Sequence, residues 1–240
     1  MLSGVWGRLA APNEGVSMRV GFGVVRSLMA VLTIAAIAAQ FVSSVNNLVE
    51  KNGDVAAFVV NFFSFFTIDS NVLYVVVLLI GAVLLFGRTG DDPGWFTVLR
   101  AVATTYMATT GIVYNLLLRN IALPQGTTVE WSNEVLHVVG PVYLVLDWFF
   151  APGRTALRNR ALWWIVGFPI FWAIYTLIRG PFAVNPATGV MPWYPYPFLN
   201  PDTSRNGYLS VSFYVILIAL VILAVGFGVV WISRRFRRVR

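Results

Sequence analysis

Two side chains of this 240-residue chain have the types needed to do chemistry together. Thr67 stands in Phe65-Phe66-Thr67-Ile68-Asp69-Ser70-Asn71, and His137 closes Trp131-Ser132-Asn133-Glu134-Val135-Leu136-His137. A threonine hydroxyl is a poor nucleophile until a base removes its proton, and a neutral imidazole within hydrogen-bond reach can do so. Asn71, Asn115 or backbone amides could stabilise an oxyanion. Asn133 or Glu134 could orient the imidazole. Arg119 and Arg179 could hold a substrate carboxylate, or simply snorkel to headgroups.

Each group also has a plainer role. Threonine hydroxyls in membrane helices commonly bond back to a carbonyl one turn earlier. A lone histidine commonly links two helices. Asp69 and Asp147 could pair inside a bundle with Arg26 or with asparagines, or Asp147 could reach an interface. Intramembrane carboxylates also mark ion pathways. Asp69, Glu134, His137 and Asp147 would then be the titrating groups of a small proton-coupled transporter. No inverted repeat or pair of broken helices, the usual frame of such carriers, is visible. A structural membrane protein without catalysis is the third reading.

The elements that must position these groups are apolar segments near 19–45, 58–87, 95–119, 130–151, 161–179 and 208–233. Each reaches the roughly 20 residues that cross a hydrocarbon core. The chain is 58% hydrophobic and 11% charged, with a mean hydropathy of +0.75. Soluble domains carry about 25% charged residues. The expected fold is a single all-α domain over 1–240, a six-helix membrane bundle. Met1–Met18 lacks the apolar core of a cleavable signal, so the first segment is expected to stay as a helix.

Charge sets the expected orientation. Twelve basic residues fall on one side: Arg8, Arg19, Arg88, Arg100, Arg154, Arg158, Arg160, Arg234, Arg235, Arg237, Arg238 and Arg240. Lys51, Arg119, Arg179 and Arg205 fall on the other. The excess predicts that both termini are cytoplasmic in a multi-pass cell-membrane protein. The same placement explains the net charge of +7 better than nucleic acid does. The absence of cysteine excludes disulfides and thiolate chemistry, and a lone histidine argues against a zinc site. No metal or organic cofactor is implied, and the oligomeric state is open.

Spacing places the candidate groups on helix faces. Ser64, Thr67, Asn71 and Tyr74 form one stripe, with Asp69 nearly opposite. Glu130, Asn133, Glu134 and His137 share another, with Pro141 one turn on. Thr104, Ala108, Gly111, Asn115 and Arg119 form a small-and-polar stripe suited to close helix approach. At 1.5 Å per residue, Thr67 and His137 both fall roughly 10–14 Å below the outer boundary. The loop after the fifth segment, with Trp193, Tyr194, Tyr196 and repeated prolines, is expected at the outer interface, either as a partial lid or as a rigid aromatic anchor with no lid role.

At these residues the chain resembles the androgen-induced and androgen-dependent TFPI-regulating membrane proteins (the FAR-17a type), and more closely their bacterial six-helix relatives. The aromatic run leading to Thr67, the Trp131-x-Asn133-x-x-x-His137 pattern and Leu99-Arg100 ahead of Thr104-Thr105 carry the resemblance. The loop at 193–198 resembles the bacterial branch. The resemblance implies an intramembrane lipid hydrolase, with Thr67 as nucleophile and His137 as base. It also implies a fatty acid ester substrate, here taken to come from the outer leaflet of the surrounding membrane lipids. Asp69-Ser70-Asn71 and Glu134 depart from the more apolar animal pattern.

Overall fold

The computed structural model describes residues 12–121 and 128–235. Arg8, Arg237, Arg238 and Arg240, which entered the charge count, lie outside them. Among the described residues the structure is all-helical, without a strand. The elements are α1 (Pro12–Glu50), α2 (Val55–Phe62), α3 (Phe66–Gly87), α4 (Gly94–Val113), α5 (Glu130–Glu134), α6 (Gly140–Phe150), α7 (Ala161–Arg179) and α8 (Tyr208–Arg235). Five helices are long and apolar enough to cross a membrane: Val16–Glu50, Phe66–Gly87, Gly94–Leu118, Ala161–Phe182 and Tyr208–Arg235.

The bundle is arranged around α4, which packs against α3, α6, α7 and α8. Its buried face is small and weakly polar, with Ala101, Ala103, Thr104 and Thr105. The hydroxyls of Thr104 and Thr105 donate to the carbonyls of Arg100 and Ala101, so they are buried already satisfied. Gly111 brings α4 against Pro141, where a Cβ would come within 3.0 Å of the proline ring. The outer faces of α1, α7 and α8 instead carry exposed Leu, Ile, Val and Phe, as a lipid-facing surface requires.

Three segments expected to be regular helices are interrupted. The second, expected as one helix over 58–87, breaks between Phe62 and Phe66 into α2 and α3. Neither glycine nor proline causes this. The break is held by tertiary contacts that take up the freed polar groups. Asn61 donates to the Val184 carbonyl, and the Trp172 indole donates to the Ser64 carbonyl. The other two interruptions are single π turns, at Tyr114–Leu118 after α4 and at Val135–Val139 between α5 and α6. Such turns are rare and concentrate at functional sites.

At the arginine-rich end the interior holds charge. Arg100 was counted with the flanking cations, yet it is fully buried and donates to Asp147 at 3.0 Å. Arg26 grips the same carboxylate through two hydrogen bonds of 2.9 and 3.0 Å. Asp147 therefore pairs inside the bundle rather than reaching an interface. Asp92 lies 3.5 Å from Arg100, and burial pushes its carboxyl above the ordinary value despite that arginine.

Candidate active site

Thr67 is the second residue of α3, and the break beneath it decides what its hydroxyl can do. A threonine inside a helix can bond back to the carbonyl four residues earlier, as Thr33 does to Met29. For Thr67 that residue is Phe63, which caps the end of α2. Its hydroxyl instead faces His137 and Tyr196. Thr67 Oγ1 is 3.3 Å from His137 Nε2 and 3.1 Å from the Tyr196 hydroxyl oxygen.

The direction of each proton follows. His137 Nδ1 lies 2.9 Å from the Asn133 carbonyl oxygen. A carbonyl only accepts, so Nδ1 carries the proton and Nε2 is left as an acceptor. Thr67 must then donate its proton to Nε2. The Tyr196 oxygen accepts from the Thr67 backbone N–H at 3.2 Å and donates its own proton to Thr67 Oγ1. The result is one directed chain, from Tyr196 through Thr67 to His137 and on to the Asn133 carbonyl. Burial pushes the Tyr196 hydroxyl up to about 12, so it remains a donor at neutral pH.

The π turns explain how His137 is held. Tyr114 opens one and His137 lies within the other, and the two rings stack with centroids 4.0 Å apart and planes 23° apart. The Asn133 amide donates to the Tyr114 hydroxyl, fixing that ring from behind. Among the described residues no side-chain carboxylate hydrogen-bonds the imidazole.

Two cavities meet at Thr67. One, of about 370 Å³, is almost wholly apolar and is lined by Phe66, Tyr114, Trp172, Tyr196, Val215 and Ile222, among others. Its volume lies in the range of about 300–1,000 Å³ typical of small-molecule sites. Ile170 of α7 and Leu223 of α8 line it and are also exposed, so it reaches the exposed apolar surface between those helices. The other, of about 60 Å³, is more polar and is lined by Gln40, Asn133 and His137 as well as Thr67.

Several expected supporting residues are occupied elsewhere. Asn71 spends its amide on the carbonyls of Thr67 and Leu136. Asn115 is exposed, bonding Gly111 and Arg119. Glu134 pairs with Arg119 and does not orient the imidazole; the Asn133 backbone does. Arg119 lies over the Tyr114 ring at 5.7 Å, at the rim of the site. Arg179 donates to Asn61 and lies over Trp193, bracing the break rather than facing a cavity. Asp69 is half-buried in the first turn of α3, where a carboxylate suits the positive helix end. It lines neither cavity at Thr67. Among the described residues no three His, Cys, Asp or Glu side chains converge where a metal ion could sit.

Tyr196 is the residue that sequence reasoning missed. The aromatic loop was expected at an outer interface, but Trp193, Tyr194, Tyr196 and Leu199 are buried in the protein. Phe65, at the break, meets Trp193 and Tyr196 edge-on at 5.7 and 5.6 Å. Gly180 admits the Tyr194 ring to a position where a Cβ would collide at 2.0 Å.

No family model matches the chain, and neither a curated protein nor a solved structure matches it. The resemblance to the FAR-17a type therefore rests on its short motifs alone.

Proposed function

We propose that this protein is an intramembrane hydrolase of lipid esters, with Thr67 as nucleophile and His137 as general base. The observation that carries the proposal is the contact of Thr67 Oγ1 with an unprotonated His137 Nε2, at the junction of an apolar and a more polar cavity. The 3.3 Å separation is at the loose end for a catalytic contact, as is common before substrate arrives.

In the proposed reaction an acyl chain enters between α7 and α8 and lies in the apolar cavity. Thr67 Oγ1 attacks the ester carbonyl while its proton passes to His137 Nε2. A carbon–oxygen bond forms and the carbonyl oxygen becomes an oxyanion. With Asn71 and Asn115 committed elsewhere, the Tyr196 hydroxyl, which rests on Thr67 Oγ1, is the donor that would turn to that oxygen. Collapse breaks the bond to the leaving alcohol, which takes the proton from His137. Water then attacks the acyl-threonine, losing a proton to His137, and the fatty acid departs as the proton returns to Thr67.

A carrier reading has less support. Asp147 is fixed by two arginines, and Glu134 pairs at the exposed rim. Neither lines a cavity at Thr67.

For the topology we propose six crossings in a cell membrane, with both termini cytoplasmic. The added crossing is Glu130–Phe150, formed by α5, the π turn and α6 in unbroken succession. Four exposed tryptophans fit interfacial positions: Trp95, Trp163, Trp164 and Trp231 at the arginine-rich end.

Turnover of long-chain acyl esters by detergent-purified protein tests the function. Wild type is expected to release fatty acid, while Thr67→Ala and His137→Ala of equal folded yield do not. Folded wild type that cleaves no ester would overturn the proposal.

A further inference from the structure

A second feature lies at the arginine-rich end, on the loop between α6 and α7. A depression of about 570 Å³ opens there, lined by Ala156, Leu157, Arg158, Asn159, Arg160 and Arg234. Among the described residues three guanidinium groups line it and no carboxylate does. Like charges so gathered repel one another unless an anion lies between them.

The depression is built rather than incidental. Arg234 donates to the Leu157 carbonyl at 2.7 Å and to Asn159 Oδ1 at 2.6 Å, which fixes its guanidinium against the loop. The Leu157 amide donates to Ser233 Oγ at 3.0 Å, tying the same loop to the end of α8. Arg158 and Arg160 are exposed, and neither side chain has an acidic partner among the described residues. Trp163 and Trp164, in the first turn of α7, are 78% and 70% exposed. Exposed indoles at a helix end favour headgroup depth. The cationic depression is thus beside the surface where lipid phosphates would lie.

We propose that this depression binds the phosphate of an anionic phospholipid headgroup, with Arg158 and Arg160 as its charged ligands and Arg234 as the fixed wall. The acyl chains of that lipid lie along the exposed apolar faces of α7 and α8. The site is independent of the Thr67 cavity, so it stands or falls apart from the hydrolase reading.

The test is binding of dioleoyl phosphatidylglycerol to the full chain in neutral detergent, read by native mass spectrometry and by thermal unfolding. Dioleoyl phosphatidylcholine and inorganic phosphate are the comparison arms. Phosphatidylglycerol is expected to be retained and to stabilise more than phosphatidylcholine. Binding is expected to weaken about five-fold for each guanidinium removed in Arg158→Gln and Arg158→Gln/Arg160→Gln. Arg205→Gln, outside the depression, is expected to leave it unchanged. Both substituted side chains are exposed, and a wild-type melting temperature in phosphatidylcholine confirms folding. Equal retention of the two lipids, or a folded double variant that binds phosphatidylglycerol like wild type, overturns the proposal. Full stabilisation by inorganic phosphate alone overturns the lipid assignment in favour of a free-phosphate site.

Discussion

Thr67 differs from Thr33, Thr104 and Thr105 in what lies beneath it. Thr33, Thr104 and Thr105 each have a helical carbonyl one turn back and use it. Thr67 has a break instead, so its hydroxyl is free to bond across the bundle. Thr67→Ser keeps a hydroxyl in this place and is expected to retain ester turnover, whereas Thr67→Ala loses it. Tyr196→Phe removes the hydroxyl proposed as oxyanion donor but keeps the ring packed against Phe65. It is expected to lower kcat by about 10²–10³-fold with little change in KM. Loss confined to KM in Tyr196→Phe would mean that the hydroxyl binds substrate without helping the reaction. That Thr67 and His137 lie at matching depth was legible in the sequence, though not that their helices are neighbours. The part played by Tyr196 was not, because no periodicity relates residues 129 positions apart.

Helix periodicity placed the apolar segments but could not show where they stop being regular. The break at 63–65 has no glycine or proline signature. It exists because Asn61 and Ser64 find partners in α7 and the loop that follows it. The π turns were equally silent, since no residue type in Tyr114–Leu118 or Val135–Val139 marks them. Pro169 shows how such groups are satisfied. Pro169 lies inside α7 and cannot donate to the Ile165 carbonyl. The Tyr106 hydroxyl of α4 donates to it instead, at 2.9 Å. Tyr106→Phe is expected to destabilise the protein by about 1–3 kcal/mol, the cost of an unmet buried polar group. In a Pro169→Ala background the helix can supply its own N–H, so the same change should cost less. A double-mutant cycle followed by thermal unfolding measures the difference; additive costs would separate the two residues.

Composition was enough to assign the whole molecule to an all-helical, membrane-compatible class, but not to sort its charges. Arg100 reads from the sequence as one more flanking cation, and only the packed bundle reveals it as a partner of Asp147. Removing the carboxylate leaves the buried Arg26 without its partner and Arg100 with Asp92 alone, at 3.5 Å. Asp147→Ala is expected to cost about 3–5 kcal/mol, seen as a lowered melting temperature or loss of the folded species. An unchanged melting temperature would argue that the cluster contributes nothing. Since the chain has no cysteine, single cysteines can also report its topology. At Arg205 and Arg235 they are expected to react with an impermeant maleimide from opposite sides of the membrane. Labelling from the same side would rule out α8 as a crossing.

The most direct measurement of the central claim is labelling with a fluorophosphonate probe, with the adduct located by peptide mass spectrometry. Wild type, Thr67→Ala and His137→Ala would be compared as monodisperse folded protein. The account expects a single adduct on Thr67 that is absent from both variants. An adduct on another residue, or equal labelling of Thr67→Ala, would contradict it.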